Sequence, residues 1–150
     1  MTQLTEHFSL AELTASTTAN KLSIDNTPGP EALAQLQRTA EMLERIRSTL
    51  GVPIKINSGY RSLLLNKAVG GVPTSDHSRG MAADFVAPGY GTPYDIAKAL
   101  APLVSVLGIG QLIHEFGQWV HVSTRVPGSP ANRVITISSA GTVLGVQEVA

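Results

Sequence analysis

The stretch TSDHSRGMAADF, Thr74 to Phe85, decides how this chain is read. It ends in an apolar segment that begins like a strand. Gly80 and the turn-forming residues ahead of it argue against a helix. His77 and Asp84 therefore cannot share a helix face, but a chain folding back at Gly80 could aim both side chains at one point. Either this is a polar loop entering a buried strand, or it is half of a metal site.

Upstream, the periodicity is helical. Ser9 with Glu12 forms a capping box before LAELTAS, and Pro30 suits the first position of a long helix over about 31–50. Leu33, Leu36, Ala40, Leu43, Ile46 and Leu50 recur there at three- and four-residue steps and make one apolar stripe, which Gly51 ends. Val52, Ile54 and Ile56 then alternate with polar or turn residues, as in a half-buried strand. Downstream, a short strand is expected over about 82–86. A helix capped by Thr92 and Asp95 should follow and break near Ala101 at Pro102. After Gly108 and Gly110 come two short strands around EFGQWVHV, then RVITIS and TVLGV as a last hairpin. No helix follows those two glycines, so they do not form a phosphate loop. Helices first and strands later, without βαβ alternation, predict an α+β fold: N-terminal helices packed on a small, mostly antiparallel sheet.

At 150 residues, 43% apolar and 15% charged, residues 1–150 are expected to form a single globular domain. The formal net charge is zero, which predicts no nucleic-acid partner and no anionic membrane surface. No apolar run approaches the ~20 residues that cross a bilayer. The absence of cysteine excludes disulfides, thiolate metal sites and cysteine nucleophiles. MTQLTEHFSLAEL lacks the basic-then-apolar order of a signal peptide, so synthesis in the cytoplasm without a leader is expected.

His121 lies in the alternating segment WVHV, pointing with Trp119 and away from Val120 and Val122. Alone it reads as structural. Beside His77 and Asp84 it supplies a third ligand, and two imidazoles plus a carboxylate are a set that zinc accepts with one position left for water.

Together, S-x-H-x-x-G-x-A-x-D (Ser75, His77, Gly80, Ala82, Asp84), SGYRS upstream and WVH downstream resemble the M15 zinc peptidases. These include D-alanyl-D-alanine carboxypeptidases, D-Ala-D-Ala dipeptidases and phage L-alanyl-D-glutamate endolysins. The compact phage and prophage branch is the nearest likeness, running from HFSLAEL to QLIHEFGQWVHVS. The resemblance implies a fold like that of hedgehog and the D-Ala-D-Ala peptidases. It implies Zn2+ on His77, Asp84 and His121, with Arg61 stabilising the oxyanion and Ser75 handling substrate. It further implies that the substrate is the peptide stem of bacterial peptidoglycan, met after release or as part of a virion, by a monomer. The alternatives are a carboxypeptidase or dipeptidase, and a zinc-bearing module that binds without catalysis.

The chain departs from the family at its general base. Many members carry Glu or Asp three residues before the last histidine, where this chain has Gln118. Glu115 can replace it if the hairpin loop is Phe116-Gly117-Gln118. Glu115 then pairs with Trp119 and Ile113 with His121, which puts Glu115 on the His121 face. A two-residue loop at Gly117-Gln118 would turn it away. The three-residue loop is expected, with Glu115 as base. Tyr60 and Trp119 could wall the cleft and touch substrate, although core or rim packing explains them equally. His114 is expected on the opposite face with a structural role, His7 in a hydrophobic staple, and Asp76 as a solvated turn acid.

Overall fold

The computed structural model describes residues 2–125 and 132–149. Ser9 caps α1 (Leu10–Thr14) by accepting from the Glu12 N–H. The helical first third then breaks at Ala15, and Ser16 caps a separate α2 (Thr17–Leu22). α3 (Pro30–Leu50) has Pro30 in its first turn and ends at Gly51, whose φ is +72°. Leu36, Ala40, Leu43, Ile46 and Leu50 are buried as the stripe predicts, the leucines and Ile46 each contributing roughly 1.5–3 kcal/mol. Leu33 is exposed, and the buried face takes in Thr39 and Met42. Thr39 has a consequence downstream: its hydroxyl donates to the Gly80 carbonyl at 2.7 Å.

β1 (Lys55–Ser58) starts later than the alternation suggests, because Pro53 offers no N–H to a ladder. It is followed by α4 (Leu63–Ala68) and β2 (Ala82–Val86). The capping box of Thr92 and Asp95 opens α5 (Pro93–Leu100), and Pro102 turns the chain through a 3-10 segment into α6 (Val104–Leu107). β3 (Gln111–Glu115), β4 (Trp119–Ser123), β5 (Arg133–Ser138) and β6 (Gly141–Leu144) complete the fold.

The six strands lie in the order β1-β2-β4-β3-β5-β6. Every neighbouring pair is antiparallel except β3 and β5, which run parallel. The result is the α+β architecture with a mostly antiparallel sheet. Ala83 and Phe85 of β2, Leu112 of β3, and Val120 and Val122 of β4 share a buried cluster with α3 and α5. The pleat sends alternate residues to the other face. That face carries Asp84, Ile113, Glu115, Trp119 and His121. No helix among the described residues is long and apolar enough to cross a membrane.

Candidate metal centre

The TSDHSRGMAADF stretch folds as a 3-10 turn (Asp76–Arg79) leading into β2. Ser75 caps the turn, its hydroxyl oxygen accepting from the His77 N–H at 3.2 Å. Gly80 ends it at φ +76°, and a Cβ there would sit 2.4 Å from the Ala32 carbonyl of α3. The chain can reverse at this point only because the residue is glycine. His77 is buried and its Nδ1 lies 2.7 Å from the Gly59 carbonyl. A carbonyl only accepts, so Nδ1 carries a proton and the ring presents Nε2 to the centre. That nitrogen lies 3.3 Å from Asp84 Oδ2.

Asp84 and His121 face each other directly across the β2–β4 ladder, with His121 Nδ1 2.8 Å from Asp84 Oδ1. Burial works against the Asp84 charge, but hydrogen bonds from His121 and His77 outweigh it and hold the carboxyl far below its ordinary pKa. Burial also opposes the His121 charge; there the hydrogen bond and charge of Asp84 win, and its pKa rises above 6.5. One ligand-type atom from each of His77, Asp84 and His121 lies within 4.8 Å of the other two. Tetrahedral zinc with bonds of 2.0–2.2 Å needs neighbouring donors about 3.4 Å apart. The separations of 2.8 and 3.3 Å fall short of that by no more than about 0.6 Å, which small side-chain rotations would make up. The donor set therefore fits zinc.

The hairpin takes the expected register, Glu115 opposite Trp119 and Ile113 opposite His121. Phe116 and Gly117 both adopt positive φ, and the Gln118 N–H closes the turn on the Glu115 carbonyl. Glu115 Oε1 consequently lies 3.7 Å from His121 Nδ1. Burial raises its pKa above 4.5, only partly offset by the charges of His121 and Arg61. Gln118 is exposed at the tip. The Trp119 indole borders the same carboxylate and stacks at a tilt on Phe116, centroids 5.9 Å apart.

Arg61 approaches from the other side. Its backbone N–H donates to the His77 carbonyl at 3.1 Å, and its Nε is buried without a partner. Burial lowers its pKa, while the charges of Asp84 and Glu115 oppose that. Arg61 and Asp84 line a cavity of about 300 Å³ with Ser16, Thr17, Thr18 and Tyr60. A larger concavity of about 850 Å³ lies between the start of α3 and Ser78, Arg79 and Met81. It contains none of these ligands, so the smaller cavity, which Asp84 and Arg61 line, is the functional candidate.

Several contributors have no clear signature in the sequence. Gly59 supplies the carbonyl that orients His77, and a Cβ on it would meet the Leu13 carbonyl at 2.3 Å. Its sign is the tight SGYRS turn. Asn26 fastens that turn by donating to the Thr14 and Tyr60 carbonyls and accepting from the Ser62 N–H. Two expectations need correcting. Asp76 is not solvated: it is buried, bonded to Ser123 and paired with Arg125, because the Gly80 reversal lays the 3-10 turn against β4. His7 is not part of the staple, since its N–H and Nδ1 both bind Glu44 of α3. The staple position belongs to Phe8, which packs with Leu13 in the core. His114 does face the helices, where its Nδ1 lies 2.9 Å from the Gln147 carbonyl.

No curated protein matches the chain. The family model described as Peptidase M15 matches residues 6–123, which takes in α1 through β4 and every residue of the centre described above. The chain belongs to the peptidase M15 family, whose members are zinc-dependent metallopeptidases.

Proposed function

We propose that the chain is a zinc-dependent peptidase that cuts a peptide-stem bond of bacterial cell wall, in the manner of a phage or prophage endolysin endopeptidase. The observation that carries this is the convergence of His77 Nε2, Asp84 and His121 Nδ1 beside the half-buried carboxylate of Glu115.

His77, Asp84 and His121 would hold the ion. Zinc bound there would supply a coordinated water of pKa ~7 and Lewis acidity toward a substrate carbonyl. Glu115 acts as the general base: burial keeps its proton affinity high enough to take a proton from the attacking water. The same carboxyl then returns that proton to the leaving amine. Arg61 has an unpaired Nε and a charge fixed by its neighbours, and it stabilises the oxyanion as it develops. The substrate chain runs into the hydroxyl-lined cavity beside Arg61, with Tyr60 as one wall and Trp119 bordering the base. Ser75 acts mainly by shaping the turn that aims His77.

The family departure at Gln118 favours a second reading, a zinc-bearing module that binds without cutting. Glu115 speaks against it, since the hairpin register puts its carboxylate on the His121 face, 3.7 Å from His121 Nδ1.

The test is digestion of purified peptidoglycan, with products identified by mass spectrometry. Chelator should abolish release of fragments and added zinc restore it. New amino termini within the stem mark an endopeptidase, whereas free D-alanine or its dipeptide marks a carboxypeptidase or dipeptidase. A zinc-loaded protein that leaves the stems intact is a binding module.

A further inference from the structure

The three candidate ligands come from three elements: His77 from the 3-10 turn, Asp84 from β2 and His121 from β4. The β2–β4 ladder fixes Asp84 against His121, because the register runs unbroken from Ala82↔Ser123 to Phe85↔Val120. The 3-10 turn belongs to no ladder, so the His77–His121 separation needs another constraint. Asp76, the residue before His77, is buried although nothing in the proposed reaction uses it.

Both of its carboxylate oxygens reach the end of β4. Oδ2 accepts from the Ser123 hydroxyl at 2.9 Å, and Oδ1 lies 2.8 Å from Arg125 Nε. Ser123 has no exposed surface and sits two residues from His121, on the same face of the strand. Its oxygen also accepts from the Arg125 N–H at 3.0 Å, which leaves its proton for Asp76. The backbone runs alongside, with the Thr124 N–H donating to the Met81 carbonyl at 2.9 Å. Asp76 is not itself a ligand, since its oxygens point to Ser123 and Arg125 and it lies outside the ligand cluster.

We propose that Asp76, Ser123 and Arg125 form a clamp that sets the distance between the His77 and His121 halves of the metal centre, with Asp76 and Ser123 as positioning residues for zinc. The inference rests on the reading of His77, Asp84 and His121 as the ligands. The ladder holds one pair of donors, the clamp closes the remaining side of the triangle, and the Gly59 carbonyl fixes the rotation of the His77 ring. Partners that orient metal ligands typically contribute 10- to 100-fold in metal affinity.

The test uses the full chain and zinc affinity, measured by competition with a chromophoric chelator. Asp76→Ala should weaken zinc about 10- to 100-fold and Ser123→Ala about 10-fold. Asp76→Asn should fall between Asp76→Ala and wild type, because its amide oxygen still accepts from Ser123 but lacks the charge facing Arg125. The visible spectrum of the cobalt-substituted protein should shift in Asp76→Ala and Ser123→Ala, as the donors leave their positions. Urea unfolding of the metal-free variants separates loss of fold from loss of aim. Should Asp76→Ala not fold, the proposal stands or falls on Ser123→Ala and Asp76→Asn. Wild-type zinc affinity and an unshifted cobalt spectrum in both overturn it. His77→Ala is the control for the ligand reading: if it keeps zinc at wild-type affinity, the ligand assignment itself is wrong.

Discussion

Gly80 and Gly70 offer a controlled comparison. Their φ angles are +76° and +78°, so alanine meets nearly the same backbone penalty at either position, about 1–2 kcal/mol. They differ in room. A Cβ at Gly70 has nothing within 4 Å, whereas one at Gly80 falls 2.4 Å from the Ala32 carbonyl oxygen and 3.2 Å from Leu36. That oxygen belongs to the backbone of α3 and cannot swing away. Thr39 also holds Gly80 to the same helix. Overpacking of this kind costs a further ~1–3 kcal/mol, so Gly80→Ala should cost about 2–5 kcal/mol in total. For a chain of this length, ~1 kcal/mol lowers the melting temperature by about 2–4 °C. Gly80→Ala should therefore melt about 4–20 °C lower and Gly70→Ala about 2–8 °C lower. Gly80 also sets the aim of His77 relative to Asp84, so zinc affinity should fall in Gly80→Ala and stay at the wild-type value in Gly70→Ala. Thermal melts of the metal-free proteins and chelator competition measure both effects. Equal melting shifts with unchanged zinc affinity would refute the steric reasoning.

Glu115→Gln should keep zinc and slow stem-peptide hydrolysis by about 10²–10⁴-fold, the usual contribution of a general base, while Gln118→Ala should stay within a few-fold of wild type. The reverse order of effects in a rate assay would move the base to the hairpin tip. Zinc must displace the proton that His121 shares with Asp84. Its affinity should therefore rise about tenfold per pH unit while pH lies below the raised His121 pKa, then level off. Flat affinity across that range would show that His121 is already deprotonated. The sign for the metal-free protein is opposite: a raised folded-state pKa gives stability that is complete below pH 6.5 and is lost as pH rises through the folded value. The His121 contribution to urea stability should decline on that side. Asn26→Ala removes one side chain that serves two backbone groups of the SGYRS turn and the Thr14 carbonyl at the end of α1. It should cost about 2–4 kcal/mol at ~1 kcal/mol or more per bond, read from urea unfolding, and an effect below 0.5 kcal/mol would mean that water replaces it without loss.

Much of this protein is legible in its sequence because the signals are local. The stripe of α3, the Thr92 box, the Pro102 break and the strand at 82–86 each follow from residues within one or two turns of one another. The spacing of His77, Gly80 and Asp84 likewise describes a reversal that glycine alone permits. Even the β3–β4 register follows from three loop residues. What only the tertiary structure decided is closure between distant segments. Gly59, just past β1, turns its carbonyl to His77 with Leu13 of α1 packed against it. Asn26 finds its three partners across the fold, and β5 adds to the sheet parallel to β3. Asp76 reads as a solvated acid until the turn it opens is laid on Ser123 and Arg125. Such contacts are set by where the apolar core places whole elements, and no short stretch of chain contains that information.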